Sequence, residues 1–302
     1  MAAKLPIRRC ENLLSRRVGG RSLAAVAAVF ALAGCASVGL ADRAEQPVAE
    51  LSDAAAPTYV NLVEWSMAAD TVVVATITEQ IAYSAERAPD VAPGMVRLYM
   101  EAATQSLLIA PRAAPPELVF LVDLPRDGDG DAPSLEGRSF VLFGDLSTRQ
   151  PGGIQLLSPD SMVPAGPRIE GRVREVLTQL ASAGAPAAVT GIRDVISVPG
   201  NLAGESETQM FLETADGAPV SLTVIRRPGM APQWGVSAGE IVDAAARPPA
   251  ADTLAWYRLA CTLPDTLPAG SFLQRDAAAQ DQARLDYRFV RGELGACERR
   301  FD

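Results

Sequence analysis

Residues 71–78 read Thr-Val-Val-Val-Ala-Thr-Ile-Thr, with every side chain except that of Ala75 branched at Cβ. Such side chains lose rotamer freedom in a helix but suit a pleated surface, so the run predicts a strand. A strand needs partners, and the sequence supplies them downstream. Across residues 96–102, Val96, Leu98 and Met100 alternate with Arg97, Tyr99 and Glu101, the period of a strand buried on one face. Residues 118–124, 139–143 and 154–157 continue the series, while residues 60–67 read equally as a short helix or strand. Five short strands with turn residues between them predict a small barrel or sandwich.

The second half changes character after residues 159–167, whose three prolines mark the best domain boundary. Ile169, Val173, Val176, Leu177 and Leu180 fall at helical spacing over residues 168–182, with Gly184 and Pro186 as stop signals. Asp216-Gly217 lies between two alternating runs, residues 208–215 and 218–226, and predicts a hairpin with Met210, Leu212, Val220, Leu222 and Val224 on one face. Two helices close the chain, one capped by Asp252 and stopped by Pro264, the other capped by Asp276 and ending near Gly292 and Gly295. The expected fold class is α+β, with a small antiparallel β-barrel at residues 58–158 and an α+β domain at residues 168–302.

The N-terminus carries an address. Lys4, Arg8, Arg9, Arg16, Arg17 and Arg21 precede an apolar stretch at residues 23–32 that is too short to span a bilayer but suits a secretory signal. Leu32-Ala33-Gly34-Cys35 then resembles the lipobox of bacterial lipoproteins. That resemblance implies cleavage before Cys35, lipidation of its sulfur, and anchoring by several acyl chains, each buried CH₂ contributing about 0.8 kcal/mol. Ala36 and Ser37, with no Asp after the cysteine, imply the periplasmic side of the outer membrane. Cleavage at Gly39-Leu40-Ala41 is the alternative, leaving an unanchored periplasmic protein. Ser15-Arg16-Arg17 hints at twin-arginine export, but Val18-Gly19-Gly20 lacks the apolar pair that follows such arginines, so the general secretory route is expected. Residues 35–57, rich in Ala, Pro and acids, read as a tether reaching about 25 Å.

In an oxidising compartment Cys261 and Cys297 remain as an even pair and predict a disulfide. There is no His, and Lys4 in the signal is the only Lys. The exported chain therefore cannot build a Ser-His-Asp or Cys-His nucleophile, a Ser-Lys dyad, a Walker lysine, a Schiff base or a His-ligated zinc. Beyond the signal stand 21 basic and 35 acidic residues, a formal charge of −14 that repels nucleic acid. No cofactor is expected.

The remaining motifs each have a plain reading beside a functional one. Gly235-Val236-Ser237-Ala238-Gly239 matches a nucleophile elbow, but without His it reads better as a capping box, Ser237 to Glu240, opening a helix to Ala246, or as a continued strand. Asp127, Asp129 and Asp131 space three carboxylates as an EF-hand begins, yet Ala132 and Arg138 stand where Gly and Glu are needed, leaving a solvated acidic turn as the alternative to Ca²⁺. Glu205, Glu207 and Glu213 are candidate paired acids for glycan hydrolysis. Trp65, Trp234 and Trp256 suit either sugar stacking or core, and Arg226, Arg227 and Trp234 suit an anion-binding rim or internal ion pairs.

Ala69-Asp70-Thr71-Val72-Val73-Val74-Ala75, followed by residues 135–143, resembles netrin-like domains, which are OB barrels. The resemblance implies an OB-like first domain. It does not extend to protease inhibition, because the N-terminal Cys-x-Cys of the inhibitory members is missing. The expectation is a lipid-anchored periplasmic lipoprotein that binds a protein or an envelope component, with carboxylate-dependent catalysis on envelope glycans as the alternative.

Overall fold

The computed structural model describes residues 56–239 and 246–301. The signal, Cys35, nearly all of the tether and residues 240–245 lie outside the described residues.

Strand β1 (Thr71–Ala82) is the centre of the first sheet, pairing antiparallel with β2 (Met95–Ile109) on one side and β4 (Ser139–Leu146) on the other. Residues 72–75 are apolar at every position because both faces are covered. Val73, Ala75 and Ile77 point into the barrel, whereas Val72 and Val74 meet helices outside it. β3 (Glu117–Pro125) pairs with β2, and β5 (Ile154–Leu156) with β4, giving the order β3-β2-β1-β4-β5. Three register shifts between β1 and β2 let the sheet curl. The ring nearly closes where Val119 bridges Gly153 in parallel and the Val119 amide donates to Gly152 O at 2.8 Å. β4 and β5 approach so closely at Gly144 that a side chain there would meet the Gln155 carbonyl at 2.3 Å.

Within residues 159–167 the chain adds a short strand to the first sheet. Pro159–Ser161 forms a 3-10 turn, and β6 (Met162–Pro164) pairs with β4, burying Ser161, Met162 and Val163. The prolines restrict local φ, but β4 offers an edge beside β5 that a short apolar segment fills.

The second sheet is an antiparallel meander, β7 (Val189–Pro199), β8 (Ser206–Thr214), β9 (Val220–Arg226) and β10 (Gln233–Ala238). The predicted hairpin joins β8 to β9, with Gly217 at φ 74° and all five apolar residues of its inner face buried. β7 has no clean alternation because two bulges interrupt it, at Val189/Gly191 and Ile192/Asp194. Ser237 lies buried in β10 opposite Ser221, as the continued-strand reading has it, and residues 240–245 of the alternative capped helix lie outside the described residues.

Helix α1 (Tyr59–Ala68) begins with a capping box between Thr58 and Asn61, and α2 (Pro167–Ala181) follows β6. Both helices have two apolar sides. Leu62 and Trp65 of α1, with Ile169, Val173 and Leu177 of α2, pack on the outside of the barrel. Tyr59, Val60, Val63 and Val176 join the other core, which contains the second sheet, α3 (Leu254–Ala260) and α4 (Ala277–Leu294). Thr253, not Asp252, caps α3, accepting from the Trp256 amide, and Asp252 sits at φ 56° outside the helix. Asp276 caps α4 as predicted, and Gly295 ends it.

Cys261, at the end of α3, is disulfide-bonded to Cys297, just past α4, with their Cα atoms 5.0 Å apart. The bonded tail runs back to α1. Arg299 pairs with Glu64, Asn61 donates to Phe301 O at 2.7 Å, and the Phe301 ring stacks on Trp65.

Candidate functional site

A cleft of about 750 Å³ opens between β3 and residues 153–159. That volume lies within the roughly 300–1,000 Å³ of small-ligand pockets. Residues Val119, Leu121 and Asp123 of β3 form one wall, and Gly153 through Pro159 form the other. Pairing registers set three rows across the outward face of β1, β2 and β3. Ile81, Tyr99 and Leu121 make the middle row, and Leu121 is 51 % exposed. Glu79, Glu101 and Val119 make the row on one side, while Arg97 and Asp123 stand opposite each other on the other, next to Tyr83.

The charges on this face are held in place. Arg97 donates from Nε and Nη2 to the two oxygens of Asp123, both at 2.8 Å, and from Nη1 to Asp90 in the β1–β2 loop. Those carboxylates, Asp123 foremost, hold the guanidinium charged, and the Arg97 hydrogen bond holds the Asp90 carboxyl below its usual range. Tyr99 donates to Glu101 Oε1 at 3.2 Å. Partial desolvation first, and Glu101 second, raise its phenol above the ordinary value. The cleft thus offers an exposed leucine, two tyrosines and one cation neutralised by Asp123, while Glu79, Glu101 and Asp90 lie beyond its lining.

None of these residues was singled out by motif. Arg97, Tyr99 and Glu101 read as the solvent side of an amphipathic strand. The available signal was a tyrosine and an exposed leucine, Leu121, on outward positions of successive strands.

The sequence-derived candidates fare differently. Asp127, Asp129 and Asp131 do not converge on a cation. Asp127 Oδ1 instead accepts from the amides of Asp129 and Asp131, closing the turn on itself, and no cluster of three metal-ligating side chains occurs among the described residues. Glu205 Oε2 accepts from the Asn201 and Leu202 amides, and Glu207 and Glu213 lie six residues apart on β8, about 20 Å along a strand. That exceeds the roughly 5–9.5 Å of paired glycosidase carboxylates. Trp65, Trp234 and Trp256 are all buried in cores.

The proposed rim of Arg226, Arg227 and Trp234 does not assemble. Arg226 Nε donates to Asp286 at 2.5 Å, Arg227 is exposed in the following turn, and the Trp234 ring belongs to the core. Asp286, fully buried on α4, was missed by sequence reading. It also accepts from Thr208 Oγ1 at 2.5 Å and from Gln282, and Thr208 is linked to Ser197. A single polar residue on an apolar helix face is the only sequence trace of this network.

No protein-family profile matches the sequence, and no curated protein matches it either.

Proposed function

We propose that this chain is a lipid-anchored periplasmic binding protein whose ligand sits in the cleft beside β3. The address rests on the lipobox-like Leu32-Ala33-Gly34-Cys35 and the basic, then apolar, leader before it. The binding reading rests on one observation, the 750 Å³ cleft lined by Tyr83, Tyr99 and Leu121 around the Arg97–Asp123 pair.

An OB identity for the barrel is supported by the ring order β3-β2-β1-β4-β5 with its parallel contact from β3 to β5. In OB barrels the β2–β3 face and the loops after β1 and β4 carry ligands, and this cleft uses the same parts. Excess carboxylate on the face argues against a nucleic-acid ligand and for an envelope protein or a neutral glycan. One observation favours the enzyme alternative. Glu79 and Glu101 are directly opposite each other beside Tyr99, which puts two carboxylates within glycosidase reach.

Two measurements test the proposal. Cys35→Ser should abolish incorporation of radiolabelled palmitate and leave precursor, and equal labelling would refute the anchor. A photo-crosslinking side chain at position 121 should capture an envelope component that the same group at exposed Leu273 does not. Identical captures from both positions would remove the cleft from the reading. Release of sugar from peptidoglycan that is lost in both Glu79→Gln and Glu101→Gln would replace it with the enzyme.

A further inference from the structure

Two like charges share a hollow on this molecule with no carboxylate in its lining. Arg112, which follows β2, and Arg149, in the turn from β4 to β5, border a depression of about 360 Å³ together with Ser147, Thr148 and Gly152. No acidic side chain lines it, although 35 acidic residues stand beyond the signal. Arg97 and Arg226, by contrast, are neutralised by the chain's own Asp90, Asp123 and Asp286. Among the described residues neither Arg112 nor Arg149 forms an ion pair. Two guanidiniums in one hollow repel each other, and an anion between them relieves that repulsion.

Arg112 is set in place for this. Its Nη2 donates to Leu146 O at 3.1 Å and to Ser147 O at 2.7 Å, which fixes the guanidinium against the end of β4, while its Nε and Nη1 donate to nothing among the described residues. The turn that carries Arg149 is braced as well. Ser147 Oγ accepts from the Arg149 and Gln150 amides at 3.2 and 3.0 Å, and the Ser147 amide donates to Gly153 O at 2.8 Å. Gly152 stands at φ 75°, and a side chain there would meet Glu117 O at 3.0 Å.

The hollow adjoins the cleft. Ser147 and Gly153 line both, and Gly153 is bridged to Val119, two residues or about 7 Å along β3 from Leu121. Within the cleft the only charged lining residues, Arg97 and Asp123, neutralise each other. What remains there for a ligand is neutral: the rings of Tyr83 and Tyr99, and the side-chain amides of Gln150 and Gln155, which form no hydrogen bond among the described residues. Rings beside neutral donors and acceptors suit sugars, which have apolar ring faces and hydroxyl edges.

Resting on the binding reading above, we infer that the ligand is an acidic glycan, whose sugar rings lie in the cleft on Tyr99 and Leu121 and whose carboxylate sits between Arg112 and Arg149 in the adjoining hollow. It is neutral along the cleft and anionic beyond its end.

The test compares two tetrasaccharides by titration calorimetry on the full chain in detergent micelles. One is chitotetraose, and the other has the same backbone with lactyl ethers on alternate sugars, so the two differ only in the groups that carry carboxylates. The acidic glycan should bind about tenfold more tightly, the worth of a charge-assisted hydrogen bond or two, and added salt should bring it toward the neutral one. Arg149→Gln should remove that advantage and leave chitotetraose binding as before, because the side chain is exposed and outside the cleft lining. Arg149→Lys should restore part of it. Equal affinity of the two glycans, or an advantage that survives Arg149→Gln, would overturn the inference. Inorganic phosphate binding as tightly as the acidic glycan would overturn it too, since the anion site would then act without the cleft. If neither glycan binds while position 121 still captures a protein in cells, the acidic-glycan inference falls and the binding reading stands. If position 121 captures nothing that position 273 does not, the binding reading itself falls.

Discussion

Burial tunes individual residues here. Tyr59 and Tyr287 are packed between helices and the second sheet, and desolvation pushes both phenols up to about 12. Tyr287 also donates to Pro264 O. Because the unfolded phenols ionise near 10, folding is favoured fully below that pH. The contribution is lost as pH rises from about 10 through about 12. Phenolate absorbance should therefore show Tyr59 and Tyr287 titrating last, coincident with loss of structure. Ionisation of both near 10 in a folded chain would contradict this burial. At the same scale, Thr253 displaces Asp252 as the cap of α3. The helix starts one residue later than expected, and Asp252 instead approaches Arg172 at 3.6 Å.

Between elements, the contact of α4 with the second sheet is the most sensitive. Apolar packing through Ala283, Tyr287 and Val290 surrounds Asp286, whose carboxylate is satisfied only by Arg226, Thr208 and Gln282. Arg226 is itself largely buried, with the Phe289 ring 6.0 Å away. Asp286→Ala would leave that cation without its carboxylate, a class of change that costs about 3–5 kcal/mol. Urea unfolding should show a loss of that size. Asp286→Leu with Arg226→Met should recover much of it, because an apolar pair has no desolvation penalty. A loss below about 1 kcal/mol, the level of an exposed pair, would mean that the network is not sealed from water.

For the whole molecule the tail is the joint. Thirty-six positions separate Cys261 from Cys297, and closing such a loop stabilises by about 4 kcal/mol on the chain-entropy account. From sequence, removal of the bridge should soften only the C-terminal half. The structure extends the effect. Residues 298–301 run from Cys297 to Glu64, Asn61 and Trp65 of α1, which packs on the outside of the barrel. Cys261→Ser with Cys297→Ser should lower the melting temperature and speed amide exchange in α1 as well as α3, while the barrel interior of Val73, Leu98 and Leu142 exchanges as before. Unchanged protection of α1 would show that the tail does not need its staple.

Local chemistry made much of this chain legible. β-branching at residues 71–78, the Asp216-Gly217 turn, the Asp276 cap and the pairing of two cysteines each depend on neighbours a few positions away or on simple counting. The lack of His, and of any Lys but Lys4, narrowed the reaction classes before any fold was known. Features set by distant partners were hidden. β6 formed between prolines because β4 had an edge to offer, and α1 and α2 needed two apolar sides because cores lie on both flanks. The cleft was hardest to see. It lies between β3 and residues 153–159, and Val119 and Gly153, where they meet, are more than thirty positions apart, a proximity that no periodicity along the chain records.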